Sequence, residues 1–390
     1  MKQAYIVAAA RTAGGRRGGR LSGWHPADLG GRMLDHLAAT TGIDPAAIDD
    51  VIMGCVSQAG AQANNVARYS VLASSLPESV PATTVDRQCG SSQQAVQFAA
   101  QAVMSGMMDV VFAAGVESMS RVPMGTPVTA ATAQGLDGPF SPAMERRYKG
   151  VRFSQFAGAE AIARKHGLTK DELDQFALDS HLKAAAATRS GAFDGEILPI
   201  EITGADGATE LHRIDEGIRF DASFEGIAGV KLLQEGGMLT AATSSQVCDG
   251  ASGVVVVGED ALKRFGLTPL ARLHHMSVGA EDPVINLEAP LAVTRRALDK
   301  AGMRIGDIDL YEVNEAFAPI PLAWLRALDA DPVRLNVHGG AIALGHPLGA
   351  SGTKLMATLI HALRAGGKRY GLQTMCEGGG QANVTILEAL

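Results

Sequence analysis

The segment Thr83–Met119 reads TTVDRQCGSSQQAVQFAAQAVMSGMMDVVFAAGVESM and contains the clearest fold signal of the chain. Thr83–Arg87 has the composition of a strand, and the chain bends at Cys89 before a helix that ends near Ser105. Asp109–Ala114 then has the apolar run of a buried strand. Two strands joined by a helix pair in parallel, so this segment predicts an α/β sheet.

The last third of the chain repeats the spacing of the first third. The motif Gly-x5-Ile-Asp-x-(Val/Tyr) begins at Gly42 and again at Gly302. It is followed at similar distances by Cys89 in the first copy and by Ala350 in the second, each ahead of a predicted helix and strand. We therefore predict two similar βα halves packed as a pseudo-dimer, with an insertion in the first. The predicted domains are residues 1–119 with 248–268 for the N-terminal half, 120–247 for the inserted loop domain, and 269–390 for the C-terminal half.

The composition indicates an ordinary globular protein. The chain has 390 residues, of which 46% are hydrophobic and 19% are charged, enough for a sizeable core and one to three domains. Its net charge of −7 argues against nucleic acid or an anionic membrane as the main partner. We see no signal peptide and no apolar run long enough to span a bilayer, so a cytoplasmic location is expected.

Four cysteines stand at 55, 89, 248 and 376, and they form no C-x-x-C pair or zinc-site spacing, so no metal is expected. Cys89 follows a strand and precedes a helix, where the positive end of the helix dipole favours a thiolate over a thiol. Cys376 ends a predicted strand, and the glycines after it, beginning with Gly378, can present backbone N–H groups to an oxyanion. Cys55 and Cys248 match no such pattern and are expected to be core thiols.

One histidine lies in a glycine-rich setting. Asn336–Gly352 reads NVHGGAIALGHPLGASG, in which His346 is followed by Pro347 and flanked by small residues. Glycine allows close approach and proline stiffens the turn, so the segment is suited to holding an imidazole in place. Asn314, in NEAFA, follows a predicted strand and could either cap the next helix or point its amide into a cleft. Two thiols, an imidazole and an amide at strand ends predict acyl transfer through a thiol.

Together these motifs resemble those of the thiolase family, the acetyl-CoA acetyltransferases and 3-ketoacyl-CoA thiolases. The matching segments are VDRQCGSSQQA around Cys89, NEAFA at Asn314, the glycine-rich segment around His346 and CEGGG at Cys376, and the resemblance covers essentially the whole chain. It implies a five-layered αβαβα fold with a loop domain for CoA, assembled as a homodimer or a homotetramer of tight dimers. It also implies thiolytic cleavage of 3-ketoacyl-CoA, or the reverse Claisen condensation, by ping-pong transfer through an acyl-cysteine. CoA and acyl-CoA would be substrates, with no permanently bound cofactor.

The resemblance also implies a role for each residue. Cys89 would be the acylated nucleophile, His346 the base that activates it, and Cys376 the acid/base at the substrate α-carbon. His346 and a water on Asn314 would form one oxyanion hole, and the N–H groups of Cys89 and Gly378 would form the other.

Two further residues match positions that contact CoA in the family. Ser245, in TAATSSQ, matches a contact to the pantetheine arm, and Arg219, in DEGIRF, matches one that lies against the adenine. Ser245 could equally well be an ordinary loop hydroxyl, and Arg219 could equally well be a solvated surface arginine. A basic cluster could likewise meet the CoA phosphates or form a solvated loop face. Its members are Arg146, Arg147, Lys149 and Arg152.

Two positions depart from the biosynthetic short-chain thiolases. Those enzymes typically carry a His-Met pair where Ser154 and Gln155 align, and a Met near Asn286. Both positions line the acyl pocket in the family. The resemblance therefore favours the degradative thiolases, which handle longer or bulkier acyl chains.

Three alternatives remain open at this stage. A decarboxylating ketoacyl synthase would pair its cysteine with two histidines or with His and Asn, and Cys376 argues against it. A non-catalytic thiolase-like lipid or sterol carrier would keep the fold without the chemistry. A redox sensor would use Cys89 and Cys376 as a thiol switch.

Overall fold

A computed structural model describes residues 2–204 and 207–390. The predicted N-terminal half begins at Met1, and the predicted inserted domain includes residues 205 and 206. These three positions of the domain prediction lie outside the described residues.

Strands and helices alternate through most of the described chain. The strands are β1 (Tyr5–Thr12), β2 (Gly15–Arg16), β3 (Asp50–Gly54), β4 (Ala82–Val85), β5 (Val110–Ser118), β6 (Ile197–Leu198), β7 (Ile200–Thr203), β8 (Thr209–His212), β9 (Cys248–Val257), β10 (Ala271–Ala280), β11 (Leu310–Val313), β12 (Tyr370–Glu377) and β13 (Gln381–Ala389). The helices are α1 (Pro26–Thr41), α2 (Val66–Leu72), α3 (Ser91–Ser105), α4 (Thr126–Ala133), α5 (Pro142–Arg147), α6 (Gln155–Lys165), α7 (Lys170–Arg189), α8 (Phe224–Ala228), α9 (Glu259–Phe265), α10 (Ala289–Ala301), α11 (Pro319–Leu328), α12 (Ala341–Leu344) and α13 (Ser351–Ala365). The strand–helix–strand unit expected at Thr83–Met119 is present as β4, α3 and β5.

One large sheet runs in the order β11-β12-β13-β10-β1-β9-β5-β3-β4, with β2 beside β9 and β6 beside β1. The antiparallel pairing of β1 with β10 over Tyr5 and Ile6 divides this sheet into two sides. One side runs from β1 to β4 in the strand order, and the other runs from β10 to β11. Read outward from this junction, each side has two antiparallel pairings followed by parallel pairing. Strands β5 and β3 on one side therefore correspond in position to β12 and β11 on the other, and β4 adds a further parallel strand to the first side.

Helices cover both outer faces of the sheet and fill the space between its two sides. Residues of α1 and α2 pack on the outer face of the first side, and residues of α6, α10 and α11 pack on that of the second. The central helices α3 and α13 share one core with strands from both sides, which includes Val96 and Ile360. The layers are helix, sheet, helix, sheet, helix, so the expected five-layered αβαβα arrangement is confirmed.

The two central helices touch at their N-terminal ends. A Cβ at Gly352 would lie 2.1 Å from the backbone nitrogen of Gln93, so only glycine fits at this crossing. The backbone N–H of Thr353 also donates to Ser92 Oγ at 3.0 Å. The loop before α3 and the loop before α13 are thereby brought to the same place, and each carries a predicted catalytic residue.

Between β5 and β9 the chain leaves the sheet. This stretch holds α4 to α8 and the β7-β8 hairpin, and β6 returns to pair with β1 at Arg11 and Thr12. Within residues 2–204 and 207–390, none of the helices is both long and apolar enough to cross a membrane.

Candidate active site

Cys89 lies at a sharp bend between β4, which ends at Val85, and α3. Gln88 has a left-handed backbone conformation with φ of 48°, which is uncommon for a residue with a side chain. The Ser91 hydroxyl closes the bend, because it accepts from Arg87 N at 2.9 Å and donates to Gln88 O at 2.6 Å. The bend holds Cys89 at the entrance to α3, half-buried and free.

His346 is fixed at both ring nitrogens. Its Nδ1 lies 2.5 Å from the Ser351 hydroxyl, and that hydroxyl donates in turn to Pro347 O at 3.0 Å. The Ser351 hydroxyl donates its one proton to Pro347 O, so it accepts a hydrogen bond from Nδ1–H of His346. A neutral imidazole that has its proton on Nδ1 has none on Nε2. The Asn314 amide nitrogen lies 3.4 Å from this Nε2. The nitrogen that can act as a base therefore faces Asn314.

Asn314 does not cap a helix, so that interpretation of the sequence is wrong. The next helix, α11, begins only at Pro319, and Ala318 is the residue before it. The Asn314 amide contacts His346 instead. Its Oδ1 is buried and has no hydrogen-bond partner within the described residues. A buried acceptor of this kind can receive a hydrogen bond from a bound water or ligand.

A tight glycine turn follows Cys376 between β12 and β13. Gly379 and Gly380 have φ of 83° and 77°, which glycine adopts without strain. The Asn286 side-chain oxygen accepts from the backbone N–H of both, at 2.7 and 3.3 Å. Asn286 thus fixes the turn. Sequence reasoning had placed it only at the acyl pocket, because nothing local links it to glycines more than ninety positions away.

The turn after Cys376 meets the bend that carries Cys89. A Cβ at Gly378 would lie 3.1 Å from Gln88 Oε1. Burial raises the pKa of Cys376 well above its ordinary value, and the nearby Cys89 raises it further. The structure therefore brings the two thiols and Gly378 together. His346 and Asn314 form a second group, joined to the first through the contact of α3 with α13.

Burial dominates the electrostatics of these residues. Loss of water around its sulphur raises the pKa of Cys89 to about 12, and Glu377 adds to this effect, although part of the residue's surface stays open. Burial lowers the pKa of His346 to about 3, with a further contribution from Lys354. Both groups are uncharged at neutral pH, so the expected stabilisation of a Cys89 thiolate by the helix dipole is outweighed. A neutral imidazole accepts a proton as the thiol attacks, rather than beforehand.

A buried lysine supports the turn that carries His346. Lys354 Nζ donates to two backbone carbonyls just before that residue, one of them Gly345 O at 3.2 Å. It also lies 3.8 Å from Asp215 Oδ1, which itself holds Arg11 Nη1 at 2.9 Å. This network ties α13 to β1 and to the stretch between β5 and β9. It fixes the backbone ahead of His346.

Arg219 and Ser245 line one cavity of about 760 Å³. Arg16 and Arg17 line the same cavity, and they come from the basic glycine-rich loop near the start of the chain. A cavity with cationic and hydroxyl groups suits a ligand with phosphates and a polar arm. The structure thus brings both predicted CoA contacts together. It adds two arginines that sequence reasoning did not select, since such a loop is more often a solvated turn.

The basic cluster does not reach that cavity. Arg147 lines a different cavity, and Arg152 lines a small neighbouring one. Neither they nor the other two members, Arg146 and Lys149, line the cavity of Arg219. The solvated-face interpretation of the cluster fits better than a contact with CoA phosphates.

A second large cavity, of about 840 Å³, opens beside Gly378 and Gln88. Three aromatic residues line it. The ring of Phe153 contacts those of Phe140 and Tyr148, with centroids 5.7 and 5.2 Å apart. We call this space the aromatic cavity. It adjoins both the bend of Cys89 and the turn after Cys376.

The positions expected at the acyl pocket differ in their placement. Asn286 lines the aromatic cavity. Ser154 instead caps the start of α6, where its hydroxyl accepts from Ala157 N at 3.4 Å, and Gln155 contacts the sulphur of Met124. Neither Ser154 nor Gln155 lines the aromatic cavity.

The remaining cysteines lie in the interior. Cys55 and Cys248 are buried and free, as expected of core thiols. The described ranges 2–204 and 207–390 hold no group of three or more His, Cys, Asp and Glu side chains that could bind a metal ion.

Comparison with known proteins agrees with this geometry. Residues 4–260 match the family model for the thiolase N-terminal domain, and residues 267–389 match that for the thiolase C-terminal domain. The chain is 52% identical to steroid 3-ketoacyl-CoA thiolase FadA6 of Mycobacterium tuberculosis, over 100% of this chain and 95% of that protein. It is 39% identical to 3-ketoacyl-CoA thiolase of an Enterobacter species, over the full length of both. The crystal structure of human mitochondrial 3-ketoacyl-CoA thiolase has a TM-score of 0.89 at 35% identity, covering 100% of this chain and 99% of that one.

Proposed function

The chain belongs to the thiolase family, and we propose that Cys89 is its nucleophile. We also propose that its substrate is a 3-ketoacyl-CoA with a bulky, ring-bearing acyl chain. It is an acyltransferase that cleaves 3-ketoacyl-CoA with CoA or runs the reverse condensation, so CoA and acyl-CoA are its substrates. The observation that carries the substrate proposal is the aromatic cavity beside Gly378.

Acylation begins at the neutral pair of thiol and imidazole. Nε2 of His346 takes the proton of Cys89 as its sulphur attacks the 3-keto carbon. The N–H groups of Cys89 and Gly378 stabilise the oxyanion that forms. The bond between C2 and C3 then breaks, and Cys376 gives its proton to the carbanion, which leaves as acetyl-CoA. His346 is now protonated, Cys376 is a thiolate, and the acyl group is on Cys89.

Deacylation restores each group. The Cys376 thiolate takes the proton of an incoming CoA thiol, whose sulphur attacks the acyl-cysteine. His346 returns its proton to the departing Cys89 sulphur. The Asn314 Oδ1, buried without a partner within the described residues, supports the proposed water that completes the second oxyanion hole with His346.

The size and chemistry of the aromatic cavity support a bulky acyl group. Its volume of about 840 Å³ lies in the range that holds a drug-sized ligand. Phe140, Tyr148 and Phe153 present flat apolar surfaces, which suit fused rings. A relative with 52% identity is named a steroid 3-ketoacyl-CoA thiolase, which points in the same direction.

We further propose that the cavity of Arg219 and Ser245 binds CoA, with Arg16 and Arg17 beside its phosphates. The division into residues 1–119 with 248–268, 120–247 and 269–390 is proposed as the domain organisation. A cytoplasmic location and assembly as a homodimer or homotetramer belong to the same proposal. Gel filtration with light scattering measures the assembly directly.

A thiolysis assay tests the substrate proposal. We expect kcat/KM for a 3-ketoacyl-CoA that carries a steroid ring to exceed that for acetoacetyl-CoA by about tenfold or more. Phe140→Ala should reduce the first activity more than the second, because it removes part of the aromatic wall. Phe98→Ala is the matched control, since Phe98 is also an exposed phenylalanine and lies on α3. Equal activities, or a preference for acetoacetyl-CoA, would refute the proposed substrate.

A further inference from the structure

Glu377, the last residue of β12, lies against the bend that carries Cys89. Its side chain is fully buried, and a Cβ built on Gly90 would lie 1.9 Å from Glu377 Oε1. The carboxyl group therefore rests on the residue directly after Cys89, where glycine is needed to make room. Glu377 also follows Cys376 directly in the chain. One acidic group thus adjoins both thiols.

This carboxyl group has no hydrogen-bond partner for either oxygen within the described residues. The neighbouring buried acid Glu117 is different, because it accepts from the backbone N–H of Ser57 and Gly349 at 3.0 and 2.8 Å. A buried carboxylate without hydrogen-bond donors has lost its hydration, and no protein group replaces the hydrogen bonds to water. The surroundings of Glu377 are therefore suited to the protonated acid and not to the anion.

A buried asparagine contacts the same glycine. Asn383 Nδ2 donates to Gly90 O at 3.1 Å, while Asn383 Oδ1 is buried and unpartnered within the described part of the chain. A carboxylic acid has one O–H donor, and an amide oxygen is an acceptor. Glu377 and Asn383 thus contact the same glycine, and this asparagine brings no positive charge that would stabilise a Glu377 anion.

Within the described residues, the charged and titratable groups around Glu377 come from two elements. From the bend before α3, Arg87 and Asp86 face it, and Cys89 lies beside them; from β12 comes Cys376. Burial raises the pKa of Glu377 to about 8, while Arg87 acts to lower it and Asp86 to raise it. The Arg87 guanidinium is engaged elsewhere, because its Nη1 donates to Gln381 Oε1 at 2.9 Å.

We propose that Glu377 is a positioning residue of this site, which holds a proton during turnover and whose ionised form disfavours the thiolates of Cys89 and Cys376. The proposal rests on the proposed function of those two thiols. Like charges in one site cannot both form without cost, so a Glu377 anion and a Cys89 thiolate oppose each other. Keeping Glu377 neutral leaves the bend free of a competing negative charge when the Cys89 proton moves to His346.

The rate at which iodoacetamide alkylates Cys89, followed by mass spectrometry between about pH 6 and 10, tests this inference. The intact protein is compared with Glu377→Gln, which mimics the protonated acid, and with Glu377→Asp, which keeps an ionisable group. Glu78→Gln removes a charge from an exposed residue and is the matched control. Cys248 is buried elsewhere, so the extent of its alkylation in each digest is an internal reference for whether the protein has stayed folded.

We expect the intact protein and Glu377→Gln to react alike below pH 8 and to separate above it. Once Glu377 is ionised, the glutamine variant should react about tenfold faster, which corresponds to a difference of one unit in the thiol pKa. Glu377→Asp should retain the slow alkaline rate of the intact protein. Alkylation rates of the intact protein and Glu377→Gln that are equal at every pH, or that differ by the same factor at every pH, would overturn the inference.

This readout is separate from the test of the proposed function. Alkylation reports the Cys89 thiol whether or not that thiol accepts an acyl group. A protein that forms no acyl-cysteine yet shows the expected pH-dependent separation would contradict the proposed function alone. An acylated Cys89 with parallel alkylation curves would contradict the role of Glu377 alone.

Discussion

Replacing Glu377 with glutamine is expected to stabilise the folded protein at neutral pH. Burial raises the pKa of this carboxyl group from its ordinary 4.5 to about 8. Neither oxygen has a hydrogen-bond partner within the described residues that the substitution would remove. The folded protein therefore keeps a proton that the unfolded chain releases as the pH rises above 4.5.

The magnitude follows from the linkage between folding and protonation. Below pH 4.5 both states are protonated, and the carboxyl group does not change the free energy of unfolding. As the pH rises further, stability is lost by ~1.4 kcal/mol per pH unit, and the loss levels off above about pH 8. At pH 7 the loss amounts to about 3 kcal/mol, which glutamine avoids because it does not titrate.

Urea-induced unfolding at one protein concentration, between pH 5 and pH 8, measures this difference. The variant should be more stable than the parent by about 3 kcal/mol at pH 7 and by less than about 1 kcal/mol at pH 5. Glu78→Gln, at an exposed position, should show no such trend. A Glu377→Gln protein that is less stable than the parent at pH 7, or a gap that does not vary with pH, would refute the reasoning.

Three further substitutions probe the site. Lys354→Met should lower the free energy of unfolding by about 3–5 kcal/mol, because it removes the donor to Gly345 O and leaves two buried carboxylates, Asp215 and Glu196, to share the charge of Arg11; an unchanged melting temperature in calorimetry would contradict this. Arg219→Ala should raise KM for CoA several-fold with little change in kcat, and an unaltered KM in steady-state thiolysis would remove Arg219 from the CoA site. Asn314→Ala should lower kcat by about a hundredfold or more, whereas a fall of less than about threefold would argue against an oxyanion role.

Local sequence patterns were sufficient to predict an α/β sheet and two similar halves, whereas the five-layered arrangement followed from the family resemblance. The strand, bend and helix at Thr83–Met119 and the repeated spacing from Gly42 and Gly302 depend on period and turn residues, which a sequence displays directly. The same patterns placed Cys89 at a bend and His346 in a stiff loop. The assignment of domain boundaries stays a prediction, and so do the catalytic roles.

The errors arose where distant residues decide the outcome. The position of Cys89 before a helix is visible in the sequence, but its burial is not. Glu377, which raises the pKa of Cys89 further through its charge, lies almost three hundred residues away. Asn314 has the composition of a helix cap, yet its amide faces His346 because the following helix starts later than the pattern indicates. Ser351 is an ordinary helix-start serine until the fold places it against Nδ1 of His346.

The burial of Glu377 could not be predicted from the sequence. An acidic residue before a glycine turn is ordinarily solvated, and nothing near it indicates burial. Its position against Gly90 depends on how β12 and the start of α3 meet across the two halves of the molecule. Unpaired buried atoms are a property of the folded structure alone.

The identity of the acylated residue is the most direct test of the proposed mechanism. The protein is incubated with acyl-CoA, quenched in acid, digested and examined by mass spectrometry, with Cys89→Ser treated in parallel. We predict an acyl adduct on Cys89 that disappears when free CoA is added and that is absent from the serine variant. The absence of any adduct, or an acyl group on Cys376 in place of Cys89, would contradict the assignment of Cys89 as the nucleophile.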